Sequence, residues 1–402
     1  MTHFTISEPV QHSAKLAQKI WSPAHPLWQL GFRPFYLLAA IFAALAIPLW
    51  IASYLGAGWA ALGLNWHMHE MVFGMAIAVI IGFLYTAAKN WTGLWTPRGS
   101  TLAALAALWL AGRIAMLIAP APLAAIIDGL FLPLAAWPLY RVLRESGNTR
   151  NLFLVALLGV LACANLAFHA AAAGWLPVAP MRAVQVGILV IVVIESVIGT
   201  RVIPMFTRNG APGVVPVVNP QRDRVILALL VAAGLAWVVS LPVWLAVTLA
   251  LSAALGLLMR LAAWQAHRTL SVPLLWILHL SYAWIPVGFI LLALSELDLV
   301  PVSAAFHALT VGSMAGLILG MMTRTALGHT GRKLIAGRAE VLIYLMIQFG
   351  ALTRLVAALS TYPLLREIML IAATVCWSGG FLLYAFTYWP YLLRARVDGT
   401  EG

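Results

Sequence analysis

The stretch VGILVIVVIESVIGTRVIP, residues 186–204, holds one acid, Glu195, and one base, Arg201, in an otherwise almost continuous apolar run. A helix needs about 20 such residues to cross the hydrocarbon of a bilayer. The stretch therefore reads as a membrane span. The rest of the chain repeats the pattern: of 402 residues, 63% are hydrophobic and 9% charged, where a soluble domain carries about 25% charged residues. No soluble core can use this much apolar sequence, so the fold class is an all-α polytopic membrane protein.

Twelve transmembrane helices are expected, over roughly 34–55, 66–88, 101–119, 122–143, 151–173, 180–203, 224–241, 243–266, 272–295, 302–325, 339–360 and 363–390. Residues 1–30 read as a polar N-terminal cytoplasmic segment without the apolar region of a cleavable signal. Residues 31–394 read as one integral membrane domain, and 395–402 as a short tail. Cys163 and Cys376 fall inside apolar runs and offer no disulfide framework.

The net charge of +12 lies in short loops between apolar runs, which argues for topology and against nucleic acid. Twelve crossings with both termini cytoplasmic leave Arg113, Arg182, Arg354 and Arg366 on the outer side. The other twenty of the 24 basic residues lie inside. This bias places His67, His69, His169 and His307, four of the ten histidines, at one outer depth on the second, fifth and tenth helices. His279 falls in the inner half of the ninth.

An internal echo supports that grouping. A shift of 238 residues lays His69 on His307, Gly74 on Gly312, Ile80 on Ile318 and Gly82 on Gly320, then Ala88, Thr92 and Gly93 on Ala326, Thr330 and Gly331. Helices two, six and ten are four apart, which suggests four-helix repeats.

Neutral imidazole is a common ligand of metals and haem iron. Ionisable groups inside a membrane are costly and point to function. His67 and His69 are two apart, so on a regular helix they point about 200° apart. The four histidines at one depth, with His69 and His307 equivalent in the echo, are therefore expected to form a metal or haem site. His67 and His169 are expected to support the ligating histidines from behind or to ligate a separate copper, with His279 as a further candidate. Arg113 and Arg354 are candidates for haem propionates, since guanidinium binds carboxylate bidentately; Arg113 also suits a salt bridge to Asp128. Gly74, Gly82, Gly312, Gly316 and Gly320 suit either close helix packing or a slot for a flat porphyrin. Glu195 suits a proton relay, a cofactor contact or pairing with Arg201. Met68, Met71, Met75, Met314, Met321 and Met322 fill an apolar interior or, less simply, bind Cu(I). HEMVF lacks the second histidine of the zinc protease motif. No Walker loop, GxGxxG, CxxC or CxxCH is present, so a haem would be b-type.

Six blocks carry a family resemblance: LGFRPFYLLAA (30–40), WHMHEMVFGM (66–75), GFLYTAAKNWTG (82–93), RVIPMFTRNG (201–210), LWILHLSYAW (275–284) and HALTVGSMAGLILGMMTRTALGHTGR (307–332). In these the chain resembles the NnrS family, membrane proteins associated with haem and copper and with bacterial responses to nitric oxide. The resemblance implies a haem protein of the bacterial cytoplasmic membrane that acts in nitric oxide metabolism, denitrification or nitrosative-stress protection. Nitric oxide or iron-nitrosyl species would be its partners. A looser likeness is to the twelve-helix subunit of haem–copper oxidases and nitric oxide reductases, whose low-spin haem hangs between histidines of helices two and ten; it implies His69 (or His67) and His307 as the residues that hold haem iron near the outer face. This chain departs from that plan, with no histidine in helix six or seven and only one in helix ten. Two other readings stand beside it: a secondary transporter with an intramembrane metal or substrate site, and a quinol-linked reductase. The sequence names neither a catalytic turnover nor an electron donor.

Overall fold

A computed structural model describes residues 19, 20, 22–59 and 61–401. Most of the polar N-terminal segment, with His3 and His12, lies outside the described residues. Among those described there are no strands, and twelve long helices run in sequence. They are α1 Phe32–Ala57, α2 Leu64–Thr92, α3 Gly99–Ile118, α4 Ala121–Glu145, α5 Thr149–Ala172, α6 Pro180–Gly210, α7 Pro220–Val239, α8 Val243–Ala263, α9 Pro273–Glu296, α10 Val302–His329, α11 Arg338–Leu359 and α12 Pro363–Leu393. Eleven are long and apolar enough to cross a membrane. The other, α7, has 20 residues but carries Arg222, Asp223 and Arg224 in its first turn. The two cysteines are free.

The helix ends follow local chemistry. Proline opens α6, α7, α9 and α12, where its missing N–H costs nothing. Asn219 Oδ1 caps α7 by accepting from the Gln221 and Arg222 amides, each at 3.0 Å. Glu340 accepts from the Gly337 amide at 2.7 Å at the start of α11. Prolines 48, 133, 138, 204, 286 and 390 lie within helices, which membrane helices tolerate because neighbours re-satisfy the freed backbone.

Burial sorts the helices into a centre and a ring. The apolar window of α2 is 83% buried, that of α9 72%, α10 67% and α6 61%; those of the other seven apolar spans lie between 33% and 44%. The ring turns leucine, isoleucine and aromatic side chains outward, among them Leu110, Ile114, Ile126, Trp137, Leu255 and Phe386. An apolar outer surface is what a lipid solvent asks for, since lipid exerts no hydrophobic pressure to bury it.

Two central helices share an irregularity. In α2 the segment Glu70–Ala76 is π-helical, and in α10 so is Ala308–Ala315. Each begins one residue after His69 or His307, so the two coincide at the 238-residue offset of the sequence echo. π segments in α-helices concentrate at functional sites. By contrast α6 is regular α-helix from Pro180 to Gly210.

Candidate functional site

The histidines expected at one depth lie near one end of the bundle, where α1 ends and α2 begins; this is the distal face below. They fall into two separate groups.

The first group is a hydrogen-bonded network joining α2, α3, α4 and α5. His69 is fully buried. Its Nδ1 lies 2.8 Å from Glu70 Oε1, and its Nε2 lies 2.8 Å from Asn165 Oδ1 and 3.2 Å from Asp128 Oδ2. Arg113 Nη1 donates to Glu70 Oε1 at 2.7 Å, and its Nη2 donates to Asp128 Oδ1. Asn165 Nδ2 donates to Asp128 Oδ2 at 2.7 Å, and His169 Nε2 lies 3.0 Å from the same oxygen. Arg113 thus bridges two buried carboxyl groups, both of which also face His69. One ligand atom each from His69, Asp128 and His169 lies within 4.8 Å of the others, a set able to hold a metal ion.

The second group lines a cavity of about 480 Å3 walled by α1, α2, α6, α10, α11 and α12. That volume falls in the range of small-molecule and cofactor sites. His67 and His307 both face it, with Arg354, Arg366, Met68, Met71, Met181 and Met314. His67 stacks on Trp50, ring centroids 5.1 Å apart and planes 7° from parallel. Its Nδ1 is buried without a hydrogen-bond partner among the described residues. His307 Nδ1 lies 2.6 Å from the Ser303 carbonyl oxygen. A carbonyl only accepts, so Nδ1 carries the proton and Nε2 keeps its lone pair. Arg354 has no carboxylate or other hydrogen-bond acceptor among the described residues, unlike Arg113.

The expected pair of His69 and His307 is therefore split. His307 shares its cavity with His67, whereas His69 turns toward α3, α4 and α5. His169 joins His69. Arg113 lies in the salt bridge to Asp128, with Glu70 as a second partner, and Arg354 lies on the cavity. His279 stands apart in the other half of the bundle: its Nε2 lies 2.9 Å from Thr207 Oγ1, and its ring packs on Trp264. Glu195 does not pair with Arg201. It accepts from Ser313 Oγ at 2.6 Å, while Arg201 donates to Asn151 Oδ1 at 2.7 Å.

The glycines serve packing rather than a porphyrin slot. A Cβ on Gly74 would strike the Arg113 guanidinium, one on Gly312 the Trp284 ring, and one on Gly316 the Ser281 hydroxyl. On Gly320 it would lie 2.8 Å from Leu278, and on Gly82 3.0 Å from Phe35. Space at these positions is filled by neighbouring side chains.

Sequence reasoning gave no role to Asn165 and little to Glu70, and missed Trp50 and Arg366. Asn165 had a readable signal, since it precedes His169 by four residues and so shares its helix face. Trp50 and Arg366 had none beyond depth.

In comparisons with known proteins, the model of the NnrS protein family matches residues 26–396, nearly the whole chain. No curated protein matches it.

Proposed function

The chain belongs to the NnrS family, and from that premise we propose that it is a haem-binding protein of the bacterial cytoplasmic membrane acting in nitric oxide metabolism or nitrosative-stress protection. The haem would occupy the cavity shared by His67 and His307. The observation that carries this reading is the pairing on one apolar wall of a histidine with a free Nε2 and an arginine without a carboxylate. A b-type haem presents the complement, an iron that takes imidazole and propionates that take guanidinium.

In this reading His307 offers Nε2 to the iron, and the Ser303 carbonyl fixes its tautomer, as partners of metal-bound histidines usually do. His67, stacked on Trp50, would supply a second imidazole to the same group. Arg354, with Arg366 toward the rim, holds the carboxylates. The methionines and aliphatic side chains exclude water. Bound haem iron supplies a one-electron couple and, where a coordination position is open, a site for nitric oxide.

The set of His69, Asp128 and His169 fits a second, divalent transition metal, for which copper is the family's expectation. Glu70 would accept from Nδ1, and a metal at Nε2 would displace the proton that this nitrogen directs at Asn165 Oδ1 and Asp128 Oδ2. Asn165 Oδ1 adds a neighbouring oxygen.

The optical spectrum of the purified protein tests the haem. His307→Ala and His67→Ala should lose or shift the Soret band, and His69→Ala should leave it in place. Unchanged spectra in the first two would refute the assignment. The cavity also suits an amphiphilic anion carried as cargo, and a protein made with ample haem yet lacking any Soret band would favour transport.

A further inference from the structure

A second cavity, of about 100 Å3, lies between α2, α6 and α10 with α1 and α9 at its edges. Its wall is almost wholly apolar, with Ala76 and Ile80 from α2, Ile191 and Ile198 from α6 and Leu317 from α10. Met314 lines both this chamber and the histidine cavity, so the two lie back to back. Small apolar cavities in proteins stay dry and take up xenon or benzene. This one is far too small for a porphyrin.

One acid stands on the wall. Glu195 Oε2 accepts from Ser313 Oγ, and Ser313 belongs to the π-helical segment of α10. No cation pairs with Glu195 among the described residues, and Tyr36 is the other titratable side chain on the chamber. A carboxylate in an apolar wall with one hydroxyl partner is strongly disfavoured, whereas a neutral carboxylic acid is tolerated. The neutral acid also keeps an O–H to donate.

We propose that this chamber is a binding site for a small neutral gas molecule, lined by apolar side chains of α2, α6 and α10, with the Glu195 carboxyl as the acid on its wall. Ions are rejected because nothing in the wall compensates their charge. The free volume of about 100 Å3 suits a molecule of a few heavy atoms. The site does not depend on haem in the neighbouring cavity, and its test reads the chamber directly.

The experiment uses the full chain in lipid nanodiscs, with xenon as the probe and infrared difference spectroscopy as the readout. Wild type should show a carboxylic C=O band that is lost in Glu195→Gln, a substitution that keeps an acceptor for Ser313. Xenon should shift that band saturably. Ala76→Phe, which fills the chamber, should keep the band and lose the shift; Ile80→Phe replaces it if Ala76→Phe does not fold. The proposal is overturned if no carboxylic band depends on Glu195, if xenon leaves the wild-type band unmoved, or if a folded filled variant still responds.

Discussion

His307 Nδ1 and the Ser303 carbonyl oxygen, 2.6 Å apart on the same helical turn, fix which imidazole nitrogen faces the large cavity. The carbonyl belongs to the backbone, so no side-chain substitution at Ser303 removes it. His307→Ala should lower haem content by more than about tenfold, the lower end of what even an outer partner of a ligand costs. His307→Gln should not restore it, because an amide lacks the imidazole lone pair. Ser303→Ala should leave haem content unchanged. Pyridine haemochrome assay of the three purified variants checks this, and full haem in His307→Ala would contradict it.

Arg354 and Arg113 make a natural comparison, two arginines near the distal face with opposite surroundings. Arg113 has two carboxylates, and Arg354 has none among the described residues. A charged hydrogen bond contributes about 1.5–3 kcal/mol, or about 10- to 100-fold in affinity. Arg354→Met should weaken cofactor binding by that factor. The same substitution should raise the melting temperature of the cofactor-free protein, because it removes a charge from an apolar cavity. A titration of the apo-protein with haem and a thermal melt of the apo-protein separate the two effects.

Arg113 should behave in the reverse way. Arg113→Leu leaves Glu70 and Asp128 buried without their cation, a loss of about 3–5 kcal/mol for breaking a buried pair. Gly74→Ala should lose about 1–3 kcal/mol by overpacking, since its Cβ would meet the Arg113 guanidinium. In an Arg113→Leu background that cost should shrink, because the shorter side chain frees the space. A double-mutant cycle on unfolding in mixed micelles measures the coupling; equal costs of Gly74→Ala in both backgrounds would show that the glycine serves something else.

The helices were legible because lipid imposes one demand on every span, an apolar run of fixed length, and that demand is written residue by residue. The central four were legible in another way. The blocks that carry the family resemblance fall largely on α2, α6, α9 and α10, the most buried spans. The ion pair of Arg113 with Asp128 could be read because each is a lone charge in apolar sequence at the same depth. The division of the histidines could not. Which way His67 and His69 face depends on the rotation of α2 and on the π segment that begins at Glu70. The 238-residue echo reports sequence equivalence, and it pairs His69 with His307. The neighbours that surround each ring come from α1, α3, α4, α5 and α11, which the echo does not reach. The inside-outside orientation is read from the Lys and Arg bias of the loops.

The last prediction concerns pH and the C-terminal segment. Asp398 binds the Arg396 guanidinium through both oxygens, at 3.0 and 2.6 Å, and accepts from Thr400. Arg396 and Thr400 hold its carboxyl below the ordinary carboxylate value. The same Arg396 donates to the His329 carbonyl at 3.1 Å, and the Val397 amide donates to the Thr330 carbonyl at 3.2 Å, so the segment is tied to the end of α10. A carboxyl whose value is lowered by folding contributes above its unfolded value, and the contribution is lost as pH falls through the folded one. The tie should therefore be intact at neutral pH and weaken only below about pH 4, where an unperturbed aspartate titrates. Gly331, at φ 77°, leaves 3.0 Å between a built Cβ and the Asp398 carboxylate, so Gly331→Ala should loosen the same tie at every pH. Asp398→Asn should speed hydrogen exchange at the Val397 amide at neutral pH, and wild type should converge on it as acid is added, after correction for intrinsic exchange. Exchange at Val397 that ignores both substitutions would mean that the segment is held by the Thr330 backbone contact alone.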